Sequence, residues 1–98
     1  MMPRSEAVKA MLAGYEPILR RFVNGELSAN RFESEYLKYF KSDTKQVASK
    51  EFDTLDELFA NVDDYVKDPQ LRAATGGIGE KELRRCAEKA YDLLYSSE

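Results

Sequence analysis

A chain of 98 residues, 43% hydrophobic and 34% charged, is long enough for one soluble domain over residues 1–98 and too short for two, and its five phenylalanines and six tyrosines argue against disorder. Histidine is absent, which removes the commonest general base and the commonest metal ligand, and a single cysteine excludes an internal disulfide. The formal charge of −3 is unevenly spread, +2 over residues 1–45, −4 over 46–72 and −1 over 73–98, and an acidic centre is the wrong sign for a nucleic-acid binder. No run of 18 apolar residues exists, and Arg4, Glu6 and Lys9 interrupt the N-terminus, so neither a membrane span nor a secretory signal is expected and the cytoplasm is the expected compartment.

From Glu6 to Val23, the residues Val8, Met11, Leu12, Tyr15, Ile18, Leu19 and Phe22 recur at spacings of three and four, a helical period. Pro17 leaves two readings open: one bent helix, which the period favours, or a new helix starting at residue 17. Asn24-Gly25 suits a helix C-terminus, because glycine adopts the left-handed conformation without steric cost. Ser28 can cap a second helix, with Leu27 before it as a staple and Phe32, Tyr36, Leu37, Tyr39 and Phe40 on its apolar face. Ser49 can cap a third helix, which Asp68-Pro69 is expected to end because the residue before proline is pushed out of the α region. A brief turn through Gln70-Leu71-Arg72 leads to Thr75-Gly76-Gly77-Ile78-Gly79, which has the composition of a flexible loop. From Glu80, Leu83, Cys86, Ala87, Ala90, Leu93 and Leu94 mark a fourth helix. No alternating β-branched run suggests a strand, so the expectation is an all-α fold, an antiparallel four-helix bundle with short loops.

The third helix holds the strongest chemical signal. Residues 51–68 carry seven carboxylates and one lysine. At about 100° per residue, Phe52, Leu55, Phe59, Val62 and Val66 share one stripe, Asp53, Glu57 and Asp64 fall near the opposite face, and Asp56 and Asp63 lie at its flanks. Two readings compete. A solvated surface would look acidic too, but such faces usually mix lysine among glutamate, and positions 51–66 contain no basic residue. Clustered like charge costs stability, and a cationic partner would relieve it. Tyr65, about 90° from the centre of the apolar stripe, is the aromatic best placed to act beside the acids.

Other constellations carry less. Cys86 occupies a core position with no histidine to activate it, so packing outweighs a nucleophilic role. Outward-facing carboxylates without histidine do not fit the inward Glu-x-x-His pairs of a di-metal bundle, and no cofactor or metal is expected. The segment 76–79 lacks both the Lys-Ser/Thr pair and the preceding strand of a phosphate loop. Tyr36, Tyr39, Tyr65, Tyr91 and Tyr95 read as bundle packing with wet hydroxyls before they read as stacking platforms.

In chain order, Phe22-Val23-Asn24-Gly25-Glu26-Leu27-Ser28-Ala29, Phe32-Glu33, Tyr36-Leu37, Phe40-Lys41, Phe52, Leu55-Asp56-Glu57-Leu58-Phe59, Val62-Asp63-Asp64-Tyr65, Asp68-Pro69 and Leu71-Arg72 resemble the family of bacterial self-protective, colicin D-like immunity proteins. The resemblance runs from about Tyr15 to Leu94 and implies a four-helix antiparallel bundle with no enzymatic role. It implies a protein that binds and blocks a cognate nuclease toxin, often a tRNase, from a colicin or a contact-dependent growth inhibition system. Acidic side chains would occupy the basic groove that holds the toxin's RNA substrate. Carried over by position, the toxin-binding candidates are Asp53, Asp56, Glu57, Asp63 and Asp64, with Tyr65 as an anchor; Asp56, Asp63 and Tyr65 fall in the recurring motif, where a structural role is the alternative, and the outward-facing Asp53, Glu57 and Asp64 would discriminate between partners. A non-inhibitory helical adaptor or regulatory module docking a basic protein is the alternative.

Overall fold

The computed structural model describes residues 4–95, and its regular elements are all helical. The first helix, α1 (Glu6–Val23), starts where the Ser5 side chain accepts from the Val8 N–H and buries Val8, Met11, Leu12, Tyr15, Leu19 and Phe22. It runs unbroken through Pro17, so of the two sequence readings the single helix is the one formed. Pro17 and Ala13, whose carbonyl loses its helical donor, both lie on the exposed side, where water can serve that carbonyl. Gly25 follows with φ +83°, its N–H donating to Phe22 O at 3.1 Å while the Glu26 N–H donates to Arg21 O at 2.7 Å, a paired closure of the helix end.

Helix α2 (Ala29–Ser42) is capped by Ser28, which accepts from the Arg31 N–H at 3.2 Å, and α3 (Lys50–Asp63) by Ser49, which accepts from the Phe52 N–H at 3.1 Å. Ring contacts between helices fix their directions. Phe22 stacks on Phe32 at 4.1 Å between centroids and Tyr15 meets Tyr39 edge-on at 4.8 Å, so α1 and α2 run antiparallel. Phe40 stacks on Phe52 and Phe59, and the Tyr36 hydroxyl donates to Leu55 O at 2.7 Å, which sets α3 antiparallel to α2. The last helix, α5 (Glu80–Tyr95), is antiparallel to α1: Arg84 donates to Phe22 O, the Tyr91 hydroxyl to Glu16 and the Tyr95 hydroxyl to Leu12 O. These four helices enclose one core in which Tyr15, Phe22, Phe32, Tyr36, Leu55 and Leu83 are fully buried.

The connection from α3 to α5 departs from the sequence expectation. Helix α3 ends at Asp63 rather than Asp68, because Tyr65 and Ile78 form an isolated parallel bridge in which the Val66 N–H donates to Ile78 O and the Ile78 N–H to Asp64 O, both at 2.9 Å. Val66 is therefore not part of the α3 stripe. Asp68-Pro69 begins an element rather than ending one: Asp68 caps the seven-residue α4 (Pro69–Thr75) by accepting from the Gln70 N–H, and Pro69 sits in its first turn, where a missing N–H costs nothing. The expected brief turn is this helix, so five helices form among the described residues. Gly76 (φ +75°) closes α4, and Gly77 lies so close to Val66 and Asp64 O that a Cβ there would stand 2.5 and 2.6 Å from them. Residues 76–79 thus form a hydrogen-bonded joint rather than a loose loop. Among the described residues, no helix is long and apolar enough to cross a membrane.

Candidate functional site

Helix α3 buries Glu51, Leu55, Leu58 and Val62, with Phe52 and Phe59 half-buried against Phe40 at the α2 side. The helical period then turns Asp53, Asp56 and Glu57 outward, Asp63 follows at the flank facing α2, and Asp64 extends the row as the C-cap, still in αR geometry; all five are exposed. The structure therefore brings the five candidate acids onto one side of one element. None makes an ion pair within the described residues, whereas Glu16, Glu35, Glu51 and Glu80 are paired with Arg20, Arg21, Arg4 and Arg84 at 3.0–3.2 Å. Asp63 and Asp64 also stand at the negative end of the helix dipole, where α3 has no basic residue in its last turn to offset them. Self-repulsion opposes the row as a whole and the dipole opposes its C-terminal end, whereas Asp53, in the first turn of α3, is the one acid that the dipole favours.

Two acidic-segment residues have other places. Glu51, one of the seven carboxylates of residues 51–68, is 6% exposed and accepts from Arg4 Nε at 3.0 Å, while the same guanidinium donates to Leu94 O at the end of α5. Tyr65, the expected anchor beside the acids, is 9% exposed; its hydroxyl donates to Asn30 Oδ1 at 2.9 Å. Its ring belongs to the core, because leaving the helix at Asp64 turns it inward, and it ties the end of α3 to α2 rather than standing among the carboxylates.

Glu33 stands near the acidic row and is not among the acids that the sequence pattern singles out. It is a half-buried acid on α2 without an ion pair, and burial, followed by the field of Asp63, raises its carboxyl above the usual value. Its proximity to Asp63 is a product of helix packing, and no local spacing announces it.

On the other flank of α3, Glu57 overlooks the seam with α5. Burial, followed by the fields of Glu82 and Glu57, raises the Cys86 thiol above its ordinary value despite Lys89 and Arg85, so the thiol stays protonated, as a packing role requires. Among the described residues, no group of three or more metal-ligating side chains is placed to hold an ion, and every buried side-chain nitrogen and oxygen has a hydrogen-bond partner. The candidate site thus consists of one helix presenting a row of exposed carboxylates without ion-pair partners among the described residues.

The family model described as bacterial self-protective colicin-like immunity matches residues 11–94, a span that includes all of α2 to α4 and most of α1 and α5. No curated protein and no solved structure matches the chain.

Proposed function

We infer that this chain, which belongs to the bacterial self-protective colicin-like immunity family, protects its host by seating the outward face of α3 on the basic substrate groove of a cognate nuclease toxin, a tRNase by the family resemblance. The observation that carries this reading is the row Asp53, Asp56, Glu57, Asp63 and Asp64: five exposed carboxylates on one element, without cation partners, two of them against the helix dipole. Surface acids kept at a cost to stability are accounted for when a partner supplies the missing cations. A nuclease must hold polyanionic RNA, so its groove is the complementary surface. Blocking then needs no chemistry from this chain; occupancy of the groove excludes the substrate. Glu33 enlarges the acidic area across the α2–α3 boundary, and Tyr65, bonded to Asn30, holds the end of α3 in place from beneath.

The test is co-expression with the toxin domain encoded beside this chain, scored by growth and by co-purification at low and high salt. Growth rescue with a stoichiometric, salt-sensitive complex is the expected result. An active toxin that still kills, and does not co-purify with the folded chain, overturns the reading.

A further inference from the structure

We propose that the seam between α3 and α5 is a receptor for one large apolar side chain of the same toxin, a proposal that rests on the function inferred above. The seam holds an open cleft of about 170 Å³. Its hollow has a local cause: α5 turns the small side chains of Cys86 and Ala90 toward Leu58 of α3, where a leucine-sized residue would have filled the space. Leu93 continues this lining one turn on and is 54% exposed. Leu58, Cys86, Ala90 and Leu93 form the apolar part of the lining and Thr54 and Asn61 of α3 its polar part, while Glu57 and Lys89 bring opposite charge, so the seam selects neither a cation nor an anion and takes an apolar side chain against its leucine side.

Continuity names the occupant. Glu57 belongs both to the acidic face and to the rim of the seam, so a partner seated on Asp53 and Glu57 stands at its mouth. The acidic face itself exposes no large apolar residue, only Ala60 among its carboxylates. Exposed charge steers association, but slow release needs a desolvated anchor. The seam beside Glu57 supplies one: the acids set the association rate and the seam sets the dissociation rate.

Cys86, the one cysteine in the sequence, reports on the seam directly. Its alkylation by iodoacetamide at fixed pH, followed by the mass of this chain, should slow at least tenfold in the toxin complex. Leu93→Ala should raise the dissociation rate at least tenfold while leaving the association rate and its salt dependence unchanged. Leu71→Ala, at an equally exposed leucine on α4, should change neither rate. Because the alkylation needs no substitution, it remains readable even if Leu93→Ala perturbs the fold. Unslowed alkylation of Cys86, or parental dissociation of a folded Leu93→Ala variant, overturns the seam while leaving the acidic face standing. A parent chain that forms no complex overturns both.

Discussion

Arg4 Nε donates to Glu51 Oε2 at 3.0 Å, with the two side chains 16% and 8% exposed, and this pair joins the first turn of α3 to the end of α5, where the same guanidinium donates to the Leu93 and Leu94 carbonyls. Arg84 does the corresponding work at the other end of the bundle, donating to Phe22 O with its guanidinium 4.2 Å from the centre of the Phe22 ring. Each arginine satisfies a carbonyl at a helix C-terminus, where positive charge also suits the dipole. Glu51→Ala removes a largely buried ion pair with its charge-assisted hydrogen bond and should destabilise the fold by about 1–3 kcal/mol in urea unfolding, less than for a fully buried pair because Arg4 keeps its carbonyl partners at the end of α5. Protection should survive at temperatures where the variant is folded, which separates Glu51 from the outward acids.

The outward acids should behave in the opposite way. Asp53→Lys combined with Glu57→Lys removes like-charge repulsion and no native ion pair but puts a cation in the first turn of α3, where the dipole favours an acid; the two effects oppose each other, so the melting temperature should change by only a few degrees. Growth protection should be lost, and association with the toxin should slow by about 10- to 100-fold at low salt, with a shallower salt dependence. Full protection by the folded double variant would remove this face from the interface.

Glu33 gives a prediction with a definite sign in pH. Its folded carboxyl titrates above the unfolded value of 4.5, through burial first and Asp63 second, so the folded state holds its proton more tightly than the unfolded chain. The resulting stability contribution is fully present below pH 4.5 and is lost as pH rises through the raised folded value, leaving an unpaired, repelled carboxylate at neutrality. Glu33→Gln should therefore stabilise the protein at pH 7 by a few tenths of a kcal/mol, the scale of a partly exposed charge interaction, and the gain should shrink toward pH 4. Equal effects at both pH values in urea titrations would contradict this origin.

The features that were readable before folding are those decided within a few residues. Ser28, Ser49 and the Asn24-Gly25 closure act through bonds to neighbours three to five positions away, so the helix boundaries they set follow from composition alone. The direction in which Asp53 and Glu57 point follows from the helical period. What could not be read depends on distant partners. Glu51 is buried because Arg4 lies 47 positions earlier, and α3 stops at Asp63 because the backbone of Ile78 offers hydrogen bonds that compete with the next helical turn. Asp68-Pro69 carries the signals of both a helix stop and a helix start, and the bridge at Tyr65 decides between them. Tyr65 turned inward for the same reason.

Gly77 is where that bridge can be tested. An added Cβ would stand 2.5 Å from Val66 Cγ2 and 2.6 Å from Asp64 O, and the second of these is backbone held by the Ile78 N–H, so no side-chain rotation removes the clash. Gly77→Ala should therefore open the bridge and cost about 1–3 kcal/mol, the range for forcing extra volume into a packed site. Gly25→Ala meets no atom within 4 Å and pays only for the left-handed backbone, about 1–2 kcal/mol. Similar losses of stability should then have different consequences. Gly25 closes α1, which carries none of the five acids, so its variant should protect normally wherever it is folded. Gly77 braces Asp64, and through Tyr65 the end of α3 against α2, so its variant should lose affinity for the toxin beyond what the unfolded fraction accounts for. Hydrogen exchange separates the two cases: the Val66 and Ile78 amides should lose protection in the Gly77 variant and keep it in the Gly25 variant.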